Sequence, residues 1–421
     1  WQYATAGNIT SAPIVDGNGS IIIGSQGSDL SILNANGQPI YKRAFSDEIS
    51  QTPIVDGANN MMLLVGDKTL VMLGMLPNVW DGRPDVISTD SKWDYELVNP
   101  VSIDVGADIV QDSLATGIPV TGEGVTIAVI DTGVYFSHEV KLIMGNQVQK
   151  DFVGQADFVS QICPTYQINK NKVETAGIQY EGFCFQDANQ SRDGYGHGSH
   201  VAGIIWNDFS DAITGVPMGI APDAKVLSVR VLGDDGAGTY EDVINGIQYV
   251  VANKDVFNIR VINMSLSGYA STPYFVNPLN RAVEAAWAQG LVVLAAAGNM
   301  GDSGAQSITV PGNDPYVITV GAINSNRTPG YWADDFIPTW SSTGPTLDGF
   351  VKPDVLAPGS NIVSFMYNDP DDMSNSAALV QQHPDYSETS SLFRMNGTSM
   401  ATAVASGVVA LMLEAQPDLT P

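Results

Sequence analysis

Short apolar segments alternate with amphipathic ones through most of the sequence after residue 120, and this alternation limits the fold more than any other feature. The apolar segments have the length of strands: Val125–Ile130, Lys225–Leu232, Arg260–Leu266, Leu291–Ala297 and Tyr316–Val320. Apolar residues at spacings of three and four, typical of helices, occur in Glu241–Ala252, Asn280–Gln289 and Ser399–Glu414. Near-continuous apolar strands that alternate with helices predict an α/β fold, with a mostly parallel buried sheet and helices on both faces.

Four polar side chains follow these strands or begin the neighbouring helices. Asp131 ends the first strand, and Asn299 follows the strand at Leu291–Ala297. His197 stands where a Gly-rich loop enters a helix, and Ser399 stands at the start of another helix. Because ligands bind at the carboxyl ends of parallel strands, we expect the four side chains to share one site. One Asp, one His, one Ser and one Asn are the parts of an acyl-transfer site.

The chemistry of acyl transfer explains these residue types. A serine hydroxyl such as that of Ser399 is a weak nucleophile until a base removes its proton, and the pKa of histidine suits that base at neutral pH. A buried Asp131 would fix the tautomer of His197 and stabilise the imidazolium form. The Asn299 side chain and the Ser399 backbone N–H would donate hydrogen bonds to the oxyanion.

Five motifs stand in the order that is typical of one protease family: AVIDTGV, HGSHVAG, VINMSLSG, AAAGN and NGTSMA. On these motifs, residues 103–421 resemble the subtilisin-like serine proteases, or subtilases, in which Asp, His and Ser follow each other in this order. The resemblance implies a three-layer subtilisin-like domain and an endopeptidase that hydrolyses peptide bonds without a cofactor. It also implies Asp131, His197 and Ser399 as the catalytic triad and Asn299 as part of the oxyanion hole.

The resemblance further implies two peptide-binding segments. The segment that resembles the strand along the primary specificity pocket is Ser265, Leu266, Ser267 and Gly268. The segment that resembles the opposite strand is Gly236, Ala237 and Gly238. A protein or peptide substrate held between them would add a strand, so its backbone is recognised before its side chains. Met300, on the rim of the expected pocket, favours broad specificity with a hydrophobic P1 residue.

The chain departs from the family pattern at two places near the site. Ser199 replaces the commoner Thr, and Thr402–Val404 stands where the family usually has Ser/Thr-Pro-His. Neither change removes a triad residue, so we expect altered helix packing and an active enzyme. Phe365–Leu392, just before the nucleophile loop, is predicted to be an acidic, polar insertion that could form a surface flap near the site.

A repeat with a period of about 40 residues occupies the first part of the chain. Pro13 and Pro53 each begin the letters Pro-Ile-Val-Asp-Gly, and short strands and Gly/Asn turns follow both. Residues 1–76 resemble blades of PQQ-like β-propellers, which predicts a small all-β repeat region ahead of a linker with short strands at 77–102. Because two blades do not close a ring, the units either belong to a fragment or pack on something else. They could bind a partner or serve only as a spacer.

Two cysteines and three oxygen donors complete the candidate site residues. Cys163 and Cys184 lie in a loop-like stretch without a CxxC motif, which favours one disulfide, with two buried thiols as the alternative. The resemblance implies structural calcium, for which Glu139, Asn207 and Asp211 offer ligands, with a solvated acidic loop as the alternative. The remaining histidine of the HGSHVAG motif, at position 200, is predicted to pack structurally.

Charge and cysteine usage limit the partners and the compartment. Lys and Arg number 18 against 45 Asp and Glu, a net charge of −27, which disfavours nucleic acid and anionic membranes. No apolar run suggests a membrane span. A disulfide requires an oxidising compartment and favours a secreted or extracellular protein, with attachment to the cell surface as a variant. The alternative function is a binding or adhesion protein whose repeats do the work.

Overall fold

The computed structural model divides the chain into two compact units. The larger unit comprises residues 105–209, 217–324 and 336–421, and the smaller one comprises residues 1–104, 210–216 and 325–335. The structure describes residues 2–5, 7–9, 12–15, 21–34, 36–44, 48–49, 54–55, 61–65, 69–76, 79–88, 100–111, 117–135, 151–159, 184–186, 191–208, 217–326, 332–369, 372–389 and 391–421.

Eight strands of the larger unit form one sheet. They are β9 (Thr126–Asp131), β10 (Phe152–Asp157), β11 (Cys184–Gln186), β12 (Lys225–Arg230), β13 (Ile259–Met264), β14 (Val292–Ala296), β15 (Ile318–Ile323) and β16 (Val355–Pro358). Their order is β11-β10-β12-β9-β13-β14-β15-β16, and every neighbouring pair is parallel except β10 and β11. A separate antiparallel pair is formed by β17 (Ile362–Phe365) and β18 (Leu392–Met395). The predicted mostly parallel α/β sheet is therefore confirmed.

Within the residues that the structure describes, the helices are α1 (Pro100–Asp104), α2 (Ala107–Gln111), α3 (His197–Trp206), α4 (Tyr240–Phe257), α5 (Pro278–Ala288), α6 (Ala378–Gln382) and α7 (Thr398–Ala415). Short 3-10 turns lie at Tyr274–Val276, Gly301–Ser303, Trp332–Asp334, Met373–Asn375 and Pro384–Tyr386.

The helices of the larger unit cover both faces of its sheet. Ile262 and Met264 of β13 belong to the apolar core that α4 and α5 complete on one face. Successive strand residues point to opposite faces, and Asn263 accordingly accepts a hydrogen bond from Ser406 of α7 at 3.0 Å. Helix α3 packs beside α7. The result is a three-layer arrangement in which the strand ends and the starts of α3 and α7 meet.

Local signals in the sequence set the ends of α4. The Thr239 hydroxyl accepts a hydrogen bond from the Asp242 N–H at 3.1 Å, and the Asp242 carboxylate accepts one from the Thr239 N–H at 3.2 Å. This reciprocal capping satisfies N–H groups that have no partner inside the helix. The helix ends at Asn258, whose left-handed φ of 52° stops further helical bonding.

Strand β10 is not visible in the apolar pattern of the sequence because Gln155 and Asp157 interrupt it. Both side chains are buried and paired inside the larger unit. The Gln155 Oε1 atom accepts a hydrogen bond from the Ser228 hydroxyl at 2.8 Å, and the Asp157 carboxylate accepts two from Arg230 at 3.0 Å. A buried strand can therefore carry polar residues where a neighbouring strand supplies their partners.

The smaller unit contains two four-stranded antiparallel sheets, one for each sequence repeat. The first consists of β1 (Ile14–Val15), β2 (Ile21–Gly24), β3 (Asp29–Leu33) and β4 (Pro39–Ala44). The second consists of β5 (Ile54–Val55), β6 (Met61–Val65), β7 (Thr69–Leu76) and β8 (Val79–Ser88). The assignment of these sheets to a β-propeller stays a prediction.

The predicted linker at 77–102 is in part regular structure. Strand β8 pairs with β7 and extends the second sheet to Ser88, and α1 begins at Pro100. Gly82, Pro84 and Asp85 within β8 are residue types that are depleted in strands, which explains why the sequence predicts only short strands where one strand of 10 residues stands.

One helix of the described residues, α7, is long and apolar enough to cross a membrane, with a mean hydropathy of 1.5 over 18 residues. About 61% of that segment is buried inside the protein, where α7 packs on β13, β14 and β15. These contacts are those of the core helix of a globular domain.

Candidate active site

The end of β9 and the start of α3 approach each other without intervening side chains. A Cβ atom on Gly198 would lie 2.1 Å from the Gly133 carbonyl oxygen, and a Cβ atom on Gly133 would lie 2.2 Å from the Arg192 carbonyl oxygen. Gly133 also has a φ of 114°, a conformation that side chains disfavour. These two glycines allow the backbone contact that brings Asp131 to His197.

His197 and Asp131 are directly hydrogen-bonded. The His197 Nδ1 atom lies 2.8 Å from the Asp131 Oδ1 atom, which also accepts the Thr132 N–H at 2.7 Å. Burial alone would lower the pKa of His197, but the charge and hydrogen bond of Asp131 and the charge of Asp193 raise it above its ordinary value. A raised pKa makes the neutral ring a stronger base, which suits a group that must accept a proton during the reaction.

Ser399 is the second residue of α7, at the carboxyl edge of the sheet. Its hydroxyl donates a hydrogen bond to the Ser265 carbonyl at 3.1 Å, and the Ser265 hydroxyl donates to the Ser399 carbonyl at 2.8 Å. The hydroxyl must turn away from Ser265 before it can transfer a proton to His197. Such contacts often form fully only when substrate is bound.

The orientation of the Asn299 side-chain amide is fixed by Thr398. The Asn299 Oδ1 atom accepts hydrogen bonds from the Thr398 N–H at 2.9 Å and from the Thr398 hydroxyl at 3.0 Å. The Nδ2 group has no partner among the described residues, and Asn299 is exposed. It lies 3.4 Å from where a Cβ atom on Gly397 would stand. The Ser399 backbone nitrogen lies 3.7 Å from the same Cβ position, so both donors lie close to Gly397.

The predicted peptide-binding segment 265–268 lies near Tyr240. A Cβ atom on Gly268 would lie 3.0 Å from the Tyr240 hydroxyl, and Tyr240 follows the segment 236–238 by two residues. Gly268 exchanges two backbone hydrogen bonds with Val310, at 2.8 and 2.9 Å. The backbone groups of Leu266 and Ser267 have no partner within the described part of the chain, so they are available to a bound peptide.

The predicted insertion packs on the loop that leads into His197. The Ala378 and Leu379 N–H groups donate to the Gly194 and Tyr195 carbonyls at 2.9 and 3.1 Å. A Cβ atom on Gly196 would meet the Met366 sulfur at 2.1 Å. The insertion therefore lies next to His197, as the sequence indicated.

The predicted metal ligands and the disulfide fall largely outside the described residues. Glu139, Asp211 and Cys163 are not described, and neither is the side chain of Cys184. Asn207 is buried at the end of α3, and its carbonyl accepts the Gly219 N–H at 2.7 Å. Among the described residues no group of three His, Cys, Asp or Glu side chains could hold a metal ion. Structural calcium and the disulfide stay predictions.

His200 packs structurally, as the sequence predicted. It is fully buried, and its Nε2 atom lies 2.9 Å from the Phe393 carbonyl oxygen, which makes this nitrogen the donor. Burial lowers the pKa of His200 to about 3, so the ring is neutral in the folded protein at any pH near neutrality.

Acid is expected to destabilise the fold through His200. The unfolded chain binds a proton on this ring below pH 6.5, whereas the folded protein resists protonation down to about pH 3, so stability falls as the pH drops through this window. At pH 4.5 the loss is about 2 to 3 kcal/mol. The free energy of unfolding, measured with urea at pH 7.5 and at pH 4.5, should differ less between the two pH values for His200→Gln than for the native protein. The Gln side chain keeps an N–H but does not titrate. Equal differences in both proteins would contradict this expectation.

Two residues that sequence reasoning missed complete the site. Asp193 is buried beside His197, and Thr132 connects Asp193 to the loop after Asp131. The signal was present in the sequence, since an Asp stands four residues before His197 and a Thr directly follows Asp131.

Comparison with known proteins gives one family and several relatives. The subtilase family of S8 peptidases matches residues 122–421. Serine protease AprX from Bacillus subtilis (strain 168) is 35% identical over 322 residues, which cover 75% of this chain and 62% of AprX. Subtilisin DY from Bacillus licheniformis is 33% identical over 301 residues, which cover 71% of this chain and 80% of that protein.

Among solved structures, the crystal structure of a cold adapted subtilisin-like serine proteinase is similar, with 29% identity and a TM-score of 0.46. The match covers 72% of this chain and 79% of that one. The chain thus spans less than two thirds of the length of AprX and about four fifths of the other two proteins.

Proposed function

The chain belongs to the subtilase family, and from this premise we propose that it is a serine endopeptidase with Asp131, His197 and Ser399 as its triad. The observation that carries the proposal is the 2.8 Å hydrogen bond between His197 Nδ1 and Asp131 Oδ1, at the sheet edge where α7 presents Ser399. A buried carboxylate on Nδ1 leaves Nε2 as the base.

The proposed reaction proceeds in two steps. The Ser399 oxygen attacks the peptide carbonyl carbon while His197 Nε2 takes the hydroxyl proton, and the resulting imidazolium is stabilised by Asp131. The tetrahedral intermediate collapses when the C–N bond breaks and His197 gives its proton to the leaving amine. Water then attacks the acyl-enzyme, again with His197 as base, and releases the acid and free Ser399.

The proposed oxyanion hole consists of the Asn299 side-chain amide and the Ser399 backbone N–H. Support comes from Thr398, whose two hydrogen bonds to Asn299 Oδ1 direct the Nδ2 donor away from the protein. The N–H groups at the start of α7 add their dipoles to the same place.

Asn299→Ala is expected to lower kcat by about 10²–10³-fold, the size seen when one oxyanion-hole donor is removed from a subtilisin. KM should change little, because this donor acts on the charge of the transition state. Asn299→Asp serves as the matched variant: it keeps the acceptor for Thr398 but places negative charge near the oxyanion, so its kcat should be at least as low. A rise in KM at constant kcat would instead make Asn299 a ground-state contact.

The proposed substrates are proteins or peptides bound as an added strand between the segments 265–268 and 236–238. Support comes from the unpaired backbone groups of Leu266 and Ser267, which suit strand addition. Met300, next to Asn299, favours a hydrophobic P1 residue. Export to an oxidising compartment is part of the proposal and rests on the predicted disulfide between Cys163 and Cys184.

Hydrolysis of denatured casein by the purified protein tests the proposed function, with and without a serine-directed phosphonylating inhibitor. Inhibition with a covalent adduct on the peptide that contains Ser399 is the expected result. Absence of both hydrolysis and adduct would favour the alternative of a binding or adhesion protein.

A further inference from the structure

A second buried carboxylate lies beside the His197–Asp131 pair. Asp193 is 3% exposed and receives hydrogen bonds from the Gly196 N–H at 2.7 Å, the Ser199 N–H at 2.8 Å and the Ser199 hydroxyl at 2.7 Å. Gly196 precedes α3 and has no side chain that could cap it. Asp193 therefore supplies the cap of the helix on which His197 is the first residue.

Thr132 connects the two carboxylates. Its N–H donates to Asp131 Oδ1 at 2.7 Å, and its hydroxyl accepts the Gly198 N–H at 2.8 Å and donates to Asp193. The Gly198 and Ser199 N–H groups, which follow His197 on α3, thus donate hydrogen bonds to Thr132 and Asp193. The backbone on both sides of His197 is fixed by these bonds, so the direction of its imidazole depends on them.

The charge of Asp193 is also placed to act on His197. The positive end of the α3 dipole would disfavour an imidazolium at its first residue, and a carboxylate capping that end opposes this effect. Several titratable and charged groups lie on the elements packed against Asp193. They are His197 and His200 on α3, Asp131 at the end of β9, the adjacent Arg192, Asp234, whose carboxylate lies against Gly194, and Arg230, which donates to the Thr132 carbonyl and to Asp234. Burial raises the pKa of Asp193, and its four hydrogen bonds act in the opposite direction.

We propose that Asp193 is a positioning residue for peptide hydrolysis, which holds the first turn of α3 and stabilises the imidazolium that His197 forms. The inference rests on the proposed function. It assigns a role to a side chain that touches neither the substrate nor the reacting atoms, and it predicts effects on both the rate and its pH dependence.

The test compares pH profiles of kcat/KM, and kcat and KM at pH 8, for three variants with a chromogenic peptide. Asp193→Asn removes the charge and turns an amide N–H toward the N–H groups of α3. It should lower kcat roughly 10- to 100-fold with little change in KM, and it should shift the acid limb down by about 0.5 to 1 pH unit.

Ser199→Ala removes one hydrogen bond to Asp193 but keeps the charge, so its acid limb should not move. Asp255→Asn, at an exposed position on α4, controls for net charge and should leave both quantities unchanged.

Two results would overturn the inference: an acid limb and kcat for Asp193→Asn equal to those of Asp255→Asn, or an acid-limb shift in Ser199→Ala as large as in Asp193→Asn. If Asp193→Asn does not fold, Asp193→Glu decides the matter. A lowered kcat at unchanged KM supports positioning, whereas a lowered melting temperature with unchanged kcat contradicts it. An inactive native protein would mean instead that the proposed function is wrong, so the two failures are distinguishable.

Discussion

Ser399→Ala is expected to abolish peptide hydrolysis, with a loss of about 10⁴-fold or more in kcat. The change removes one oxygen atom, and with it the nucleophile on which His197 and Asp131 act, so the remaining triad residues cannot compensate. The fold should persist, because Ser399 lies at the start of α7 and loses only the hydrogen bond to the Ser265 carbonyl. Initial rates on a chromogenic peptide, together with circular dichroism and thermal melting, measure both parts of the expectation.

Ser271→Ala provides the matched control for this variant, since Ser271 is an exposed serine on the loop that follows the proposed peptide-binding segment 265–268. Its rate should equal that of the native protein. Turnover of Ser399→Ala above about one thousandth of the native rate would exclude Ser399 as the nucleophile. Loss of the folded state in Ser399→Ala would point to a structural role for the Ser265–Ser399 hydrogen bonds.

The regular part of the fold could be predicted from the sequence because its pattern is local. Strand β14 is a continuous apolar run and β13 is a near-continuous one, and α4 shows helical spacing and capping residues at its start. Strand β10 could not be predicted in this way. Its polar residues are acceptable in the core only because Ser228 and Arg230 of β12 form hydrogen bonds with them. These partners lie far along the chain, so the local sequence around β10 does not indicate them.

The candidate site shows the same division between local and distant information. Asp131, His197, Asn299 and Ser399 could be predicted as site residues because each stands at a strand end or helix start within a recognisable motif. The role of Asp193 was missed, since a carboxylate before a Gly-rich loop reads as an ordinary turn residue. The direction of the Ser399 hydroxyl toward Ser265 depends on rotation about a single side-chain bond, which sequence does not encode.

Asp131→Asn is expected to lower kcat by about 10⁴-fold, the size seen when the triad aspartate of a serine protease is changed. In the structure one carboxylate oxygen, Oδ1, accepts both the Thr132 N–H and the His197 Nδ1 hydrogen. An asparagine can keep its carbonyl oxygen in that place, so the imidazole retains its direction and the loss measures mainly the missing charge.

The pH dependence of Asp131→Asn separates charge from geometry. Burial lowers the pKa of His197, and the charge of Asp131 is the largest effect that opposes it. Without that charge the folded-state pKa of His197 should fall, so the ring of the variant stays neutral at a pH where the native ring is protonated. Proton NMR of the His197 ring in a Ser399→Ala background follows this titration without autolysis. An unchanged His197 pKa, with kcat lowered all the same, would mean that Asp131 acts by orientation alone.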